Sequence, residues 1–138
     1  MFEHTLRVRF QDCDPAGIAF FGKLFEYCHE AFEDFLRSRG APLDELLRSG
    51  LAAPIVHVDA DFKKPLRHGD LVRVRIALGK LSARSFRLEY ELLNDSGTLL
   101  ARVALVHAGM APGGGGAELA GALRAALEAL PPAPARVA

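Results

Sequence analysis

The sequence predicts an α+β domain in which one long amphipathic helix lies across an antiparallel sheet. Three observations carry this. Four strand-like segments follow one another between residues 55 and 110, joined by short turns, the order expected of an antiparallel sheet rather than of alternating βαβ units. An apolar stripe at helical spacing runs through residues 22–39. The chain has 138 residues, a length for one domain that buries about two-thirds of the surface its unfolded chain would expose.

The elements follow in order. Residues 4–10 alternate, with Leu6, Val8 and Phe10 opposite Arg7 and Arg9, as in a half-buried strand. Pro15 and Gly17 break the next stretch into a loop. In the helix at 22–39, Leu24, Phe25, Cys28, Ala31, Phe32, Phe35 and Leu36 form the apolar stripe, and Glu26, Glu30, Glu33 and Asp34 occupy much of the rest. Arg37 and Arg39 suit its C-terminal dipole, and Gly40 its C-cap. A short helix fits 42–49, with Pro42 in its first turn and Gly50 ending it. Strands fit 55–63 (Val56, Val58, Ala60 and Phe62 on one face), 71–79, 85–93 and 98–110. The last is apolar on both faces, as a central strand would be. The expected domain spans residues 1–112. Gly113 to Gly116 form a flexible break, 117–129 a terminal helix, and the Pro/Ala-rich tail from Pro131 is expected to fray. The sheet face away from the long helix needs a cover, and a second subunit is the simple candidate.

Composition narrows the function classes. Lys+Arg and Asp+Glu are both 17. Zero formal charge argues against a general nucleic-acid binder and favours self-association over repulsion. No apolar run approaches the ~18 residues of a membrane span, and the first residues lack a signal-peptide stretch. Cys13 and Cys28 make neither a disulfide framework nor a CxxC site, so a cytoplasmic location is expected. His4, His29, His57, His68 and His107 show no metal-binding spacing, so no metal is expected.

The segment Arg9-Phe10-Gln11-Asp12-Cys13-Asp14-Pro15-Ala16-Gly17-Ile18, directly before a helix, resembles the signature of the 4-hydroxybenzoyl-CoA thioesterase family. Tyr27-Cys28-His29-Glu30-Ala31-Phe32-Glu33, the stretch from Pro54 through Asp61-Phe62 and Pro65 to Gly69-Asp70, and Ser82-Ala83-Arg84-Ser85-Phe86 are similar to its 1,4-dihydroxy-2-naphthoyl-CoA thioesterase branch. The likeness covers about residues 5–110. It implies a hotdog fold, a five-stranded antiparallel sheet wrapped around one long helix, and hydrolysis of an acyl-CoA to free acid and coenzyme A. It also implies a homodimer, with a homotetramer built from it. Coenzyme A belongs to the substrate, and no separate cofactor is expected.

Thioester hydrolysis needs an activated water or a nucleophile, and a donor for the developing oxyanion. By resemblance Asp14 is the catalytic carboxylate, as general base or as nucleophile; as a bare residue it equally suits a turn cap. The Phe21 backbone N–H, at the start of the long helix, is the expected thioester polariser, since a helix N-terminus presents free N–H groups. Gly17 would let the chain pass close to substrate, and Phe20 and Phe21 either line an acyl pocket or pack in the core. Asp12 is expected to be structural. Cys13 is a rival nucleophile, disfavoured because two carboxylates flank it. Glu30 is a secondary catalytic candidate, because another hotdog branch carries its carboxylate on the long helix. His57 is a candidate acyl contact, and Arg84 and Ser85 align with positions near the nucleotide phosphates. Lys63 to Arg87 carries a net +7 that suits those phosphates. An aromatic acyl group is favoured. The alternatives are a short aliphatic acyl-CoA, a hotdog hydratase, and a non-catalytic acyl-CoA binding protein.

Overall fold

Helical periodicity in the first third of the chain matures into one helix that anchors the whole core. The structure is a computed structural model that describes residues 1–134. Helix α1 spans Lys23–Ser38 and buries Leu24, Tyr27, Cys28, Ala31, Phe32, Phe35 and Leu36 along one face. These are the 3–4-residue spacings that stack on one side of a helix. Arg39 ends it, and Gly40 follows at φ +73°, the left-handed conformation that glycine adopts without cost. Helix α2, Leu43–Arg48, is short and has no buried residue.

The strands are β1 (Glu3–Arg7), β2 (Ile55–Phe62), β3 (Leu71–Leu81), β4 (Ser85–Leu93) and β5 (Leu99–Ala108). They form one antiparallel sheet in the order β1-β3-β4-β5-β2. Its helix face supplies Val72, Val74 and Ile76 from β3, Phe86, Leu88, Tyr90 and Leu92 from β4, and Val103 and Leu105 from β5. The expected hotdog architecture is therefore present.

Four expectations are corrected. Strand β1 stops at Arg7, and a 3-10 turn takes Phe10–Asp12, leaving Phe10 76% exposed. Alternation continues to Phe10, but the pairing with β3 ends at Arg7–Leu71. The sheet face away from α1 does not need a second subunit to cover it. Glu3 pairs with Arg73 and Arg75, Arg102 with Glu91, and Arg87 with both Asp59 and Glu89. A solvated lattice of opposite charges covers that face itself.

Strand β2 ends at Phe62 rather than at residue 63, the third correction. Its apolar face is open, with Val56, Val58 and Phe62 at 60, 45 and 53% exposed. It lies at the sheet edge, paired only with β5. The fourth concerns the boundary at residue 112. Helix α3 (Gly121–Glu128) is shorter than expected, but Leu119, Leu123, Ala126, Leu127 and Leu130 join the same core that residues 1–112 build. The tail does not fray at once: Leu78 N–H donates to Pro131 O, and Ala133 N–H donates to Leu78 O, so the chain extends β3's outer edge beyond β1. Residues 135–138 of that tail lie outside the described residues.

Candidate active site

The loop between β1 and α1 carries the two carboxylates, and local hydrogen bonding gives them opposite fates. Asp12 is buried. It takes a two-pronged bond from Arg9, Nε to Oδ2 and Nη2 to Oδ1, both 3.0 Å, and a 2.7 Å bond from the Tyr27 hydroxyl. Lys23 Nζ lies 3.9 Å away. Burial pushes the Asp12 carboxyl up, but the Arg9 and Tyr27 bonds outweigh it and hold its pKa below the usual carboxylate value. Asp12 is an anchor, as expected, fixing the loop to α1 through Tyr27.

Asp14 is exposed. Its Oδ1 accepts the Ala16 N–H at 2.8 Å, the Gly17 N–H donates to its carbonyl, and its own N–H donates to Ile18 O. The turn-cap role is thus real. It occupies one carboxylate oxygen and leaves Oδ2 without a donor among the described residues. Gly17, at φ +76°, closes this turn in a conformation that suits glycine, and its carbonyl accepts the His68 N–H. Its place is in the turn's geometry. Cys13 hydrogen-bonds weakly to Arg9 O, and burial together with Asp12 and Asp14 pushes its thiol pKa up. That opposes a thiolate nucleophile.

Phe20 N–H donates to Asp12 O, and Ala19 N–H to Leu66 O. The next amides, Phe21 and Gly22, meet no acceptor among the described residues. They stand at the N-terminus of α1, where the dipole is positive. A cavity of about 400 Å3 opens here, lined by Asp14, Ile18, Phe21, Phe62, Lys63 and Lys64 among others. The structure therefore brings Asp14 and Phe21 together. Phe20 packs against Phe21, ring centroids 4.5 Å apart and planes tilted by 50°, but does not line this cavity.

The other candidates sit elsewhere in the chain. Glu30, halfway along α1, holds His4 Nε2 at 2.6 Å, while Asp34 holds Nδ1 at 2.9 Å. It does not line the Asp14 cavity. His57 is on β2, 3.4 Å from Asp59, across from Val106 on the charged face. It lines neither that cavity nor the one described next. Arg84 and Ser85 lie at the β3–β4 turn, where Arg84 runs beside Gly116 and the Ser85 hydroxyl is 2.7 Å from Ser82 Oγ. Ser85 pairs with Ala108, whereas Phe62, at the Asp14 end, pairs with Ala101. Seven residues of β5 separate the two ends, roughly 23 Å at strand rise.

The +7 of residues 63–87 is also redistributed. Arg73, Arg75 and Arg87 are spent in the charge lattice. Lys63, Lys64, Arg67 and Arg84 have no carboxylate partner among the described residues.

A second cavity, of about 300 Å3, lies under α2 at the Arg84 end of β5 and is largely apolar. Phe32, Phe86, Leu46 and Leu47 contribute, with His29 and His107 as its only imidazoles. Sequence reasoning missed it. The available signal was His107, a lone imidazole in a strand whose other residues, Arg102 apart, are apolar.

Comparison with known proteins decides the family. Residues 8–137 match the thioesterase-like superfamily. The chain belongs to that superfamily. It is 40% identical over 106 residues to a 1,4-dihydroxy-2-naphthoyl-CoA hydrolase of Thermosynechococcus vestitus, covering 76% of this chain and 73% of that protein. A 1,4-dihydroxy-2-naphthoyl-CoA thioesterase structure from Synechocystis superposes with a TM-score of 0.86 at 32% identity, over 94% of this chain and 96% of that one. A gentisyl-coenzyme A thioesterase structure superposes at 0.82 with 28% identity, over 89 and 99%. Thioester hydrolysis is the activity that this membership carries, and the hotdog fold is the one these neighbours share.

Proposed function

We propose that this chain hydrolyses an aromatic acyl-CoA to free acid and coenzyme A, with Asp14 as its reacting carboxylate. One observation carries the reading: Asp14, with one oxygen left undonated, lines the same cavity as Phe21, whose amide is unsatisfied at the start of a 16-residue helix. The Phe21 N–H would receive the thioester oxygen as it becomes an oxyanion. Asp14 would take a proton from water as that water attacks, or attack the carbonyl itself to give a mixed anhydride that water then opens. In both routes the C–S bond breaks and coenzyme A leaves as the thiolate, then gains a proton. Water is the only co-reactant, so neither a metal nor a further cofactor is invoked. Two free cysteines suit a reducing compartment such as the cytoplasm.

The working unit of this proposal is a homodimer. An open apolar edge strand invites pairing with another strand. Antiparallel pairing of two β2 edges sets the Ile55 end of one copy beside the Phe62 end of the other. The second copy's Arg84, Ser85 and apolar cavity then approach Asp14, which within one chain they do not reach. Lys63, Lys64 and Arg84, none of them paired with a carboxylate among the described residues, are available to the phosphates of coenzyme A. The tetramer expected from the resemblance would be a pair of these dimers.

The test is release of free thiol from a panel of acyl-CoAs. Aromatic esters should give a kcat/KM well above that of short aliphatic ones. A profile favouring aliphatic chains would reject the aromatic assignment, and tight binding without thiol release would favour an acyl-CoA binding protein.

A further inference from the structure

Tyr27 is 4% exposed, one helical turn into α1, and among the buried side chains of that helix it alone carries a hydroxyl. Its ring belongs to the core. A phenylalanine would fill that place as well, so the reason for the hydroxyl lies in what it meets. It donates to Asp12 Oδ2 at 2.7 Å, where Arg9 Nε also donates at 3.0 Å. Burial and the bond to Asp12 push the phenol's pKa up, so the hydroxyl keeps its proton and remains a donor.

The two reacting groups meet at Asp12. Residues 12–14 and 18–20 run antiparallel as the arms of a small hairpin. Asp14 N–H donates to Ile18 O at 3.0 Å, Cys13 and Ala19 form an antiparallel bridge, and Phe20 N–H donates to Asp12 O at 2.8 Å. Asp14 lies two residues from Asp12 on one arm, and Phe21, whose amide is free, follows Phe20 on the other. The rung between Asp12 and Phe20 therefore stands between Asp14 and the start of α1. Arg9 is three residues from Asp12 on the same loop and moves with it. Lys23 Nζ, on α1, is beyond hydrogen-bond distance at 3.9 Å. The Tyr27 hydroxyl is the group that refers Asp12 to the rigid helix. Tyr27 does not line the Asp14 cavity, so its effect on the chemistry passes through Asp12.

We propose that Tyr27 is a positioning residue for the hydrolysis: through Asp12 it fixes where Asp14 stands relative to the Phe21 N–H. The inference rests on the acyl-CoA reading above and adds to it the residue that holds the two reacting groups in register. A carboxylate and an oxyanion donor act together only while their spacing is kept, and a displacement of about 1 Å costs about 10²-fold in rate.

The experiment is steady-state thiol release by Tyr27→Phe, at a temperature where circular dichroism shows it folded, with an aromatic acyl-CoA that wild type cleaves. The variant should lose about tenfold or more in kcat while KM stays within about twofold. A residue that only supports the fold would lower the unfolding midpoint and leave the kcat of folded protein unchanged. That result, or a raised KM with kcat unchanged, would overturn the proposal. Arg9→Gln is the second variant, altered at a side chain that is 58% exposed. It takes donors from Asp12 but none that belong to α1, so its kcat should stay within about threefold of wild type. A tenfold loss there would show that the tie to α1 is not what matters, and would also overturn the proposal. No thiol release by wild type removes the acyl-CoA reading and this proposal with it, whereas release that Tyr27→Phe leaves intact removes this proposal alone.

Discussion

Two aspartates two positions apart end with opposite chemistry, and the difference lies in their partners. Asp12 is enclosed by Arg9 and Tyr27, while Asp14 faces solvent with half its carboxylate unused. Removing the hydroxyl in Tyr27→Phe leaves a buried carboxylate short of one donor. A hydrogen bond to a charged group is worth about 1.5–3 kcal/mol, so urea unfolding should show a loss in that range. Asp12 also sets an acid limit. Its folded pKa is depressed, so its contribution is present above the unfolded carboxylate value and is lost as pH falls through the folded one. Asp12→Asn should therefore be less stable than wild type at neutral pH, and the gap should narrow in acid denaturation profiles. The motif and the identity of both acids were legible in the chain. Which one would be buried was not, because that depends on Tyr27, one helical turn into α1, meeting Asp12 in space.

At the scale of elements, His4 makes the side-chain hydrogen bonds that tie β1 to α1 among the described residues. His4 lies between Glu30 and Asp34, and although burial pushes its pKa down, these two acids outweigh it and raise it. A raised folded pKa gives stability that is full below the unfolded histidine value and is lost as pH rises through the folded one. The stability difference between wild type and His4→Gln should be larger near about pH 5.5 than near about pH 8.5. An equal difference at both would remove the ion pairs from the account of how β1 is held. Glu30 is engaged here, which explains its distance from the Asp14 cavity. The strands were legible because alternation with period two survives in β1 to β4, while β5 reads as the apolar run of a central strand. Their surroundings were less so. The alternation in β2 specifies which side chains share a face, but whether that face is covered is decided by strand order, and β2 comes out at an edge. Likewise α3 read as an appendage because a glycine run precedes it, yet its leucines complete the core.

For the whole molecule, the formal charge of zero conceals a division of labour. Arg73, Arg75 and Arg87 neutralise carboxylates across the outer face of the sheet, while Lys63 and Lys64 line the Asp14 cavity. The open β2 edge is the feature on which assembly turns. Val58→Lys places a charge in the middle of that edge, where a partner strand would have to bury it. Light scattering should report a monomer, and kcat/KM should fall more than about tenfold although Asp14 is untouched. An active monomer would show that each chain holds a complete site. The most direct test of the central claim is thiol release by Asp14→Asn with an aromatic acyl-CoA that wild type cleaves, alongside circular dichroism and size measurement. The variant should fold and assemble as wild type does while kcat drops by about 10²–10⁴, the range of a lost general base. Near-wild-type turnover in a folded Asp14→Asn protein would contradict the assignment.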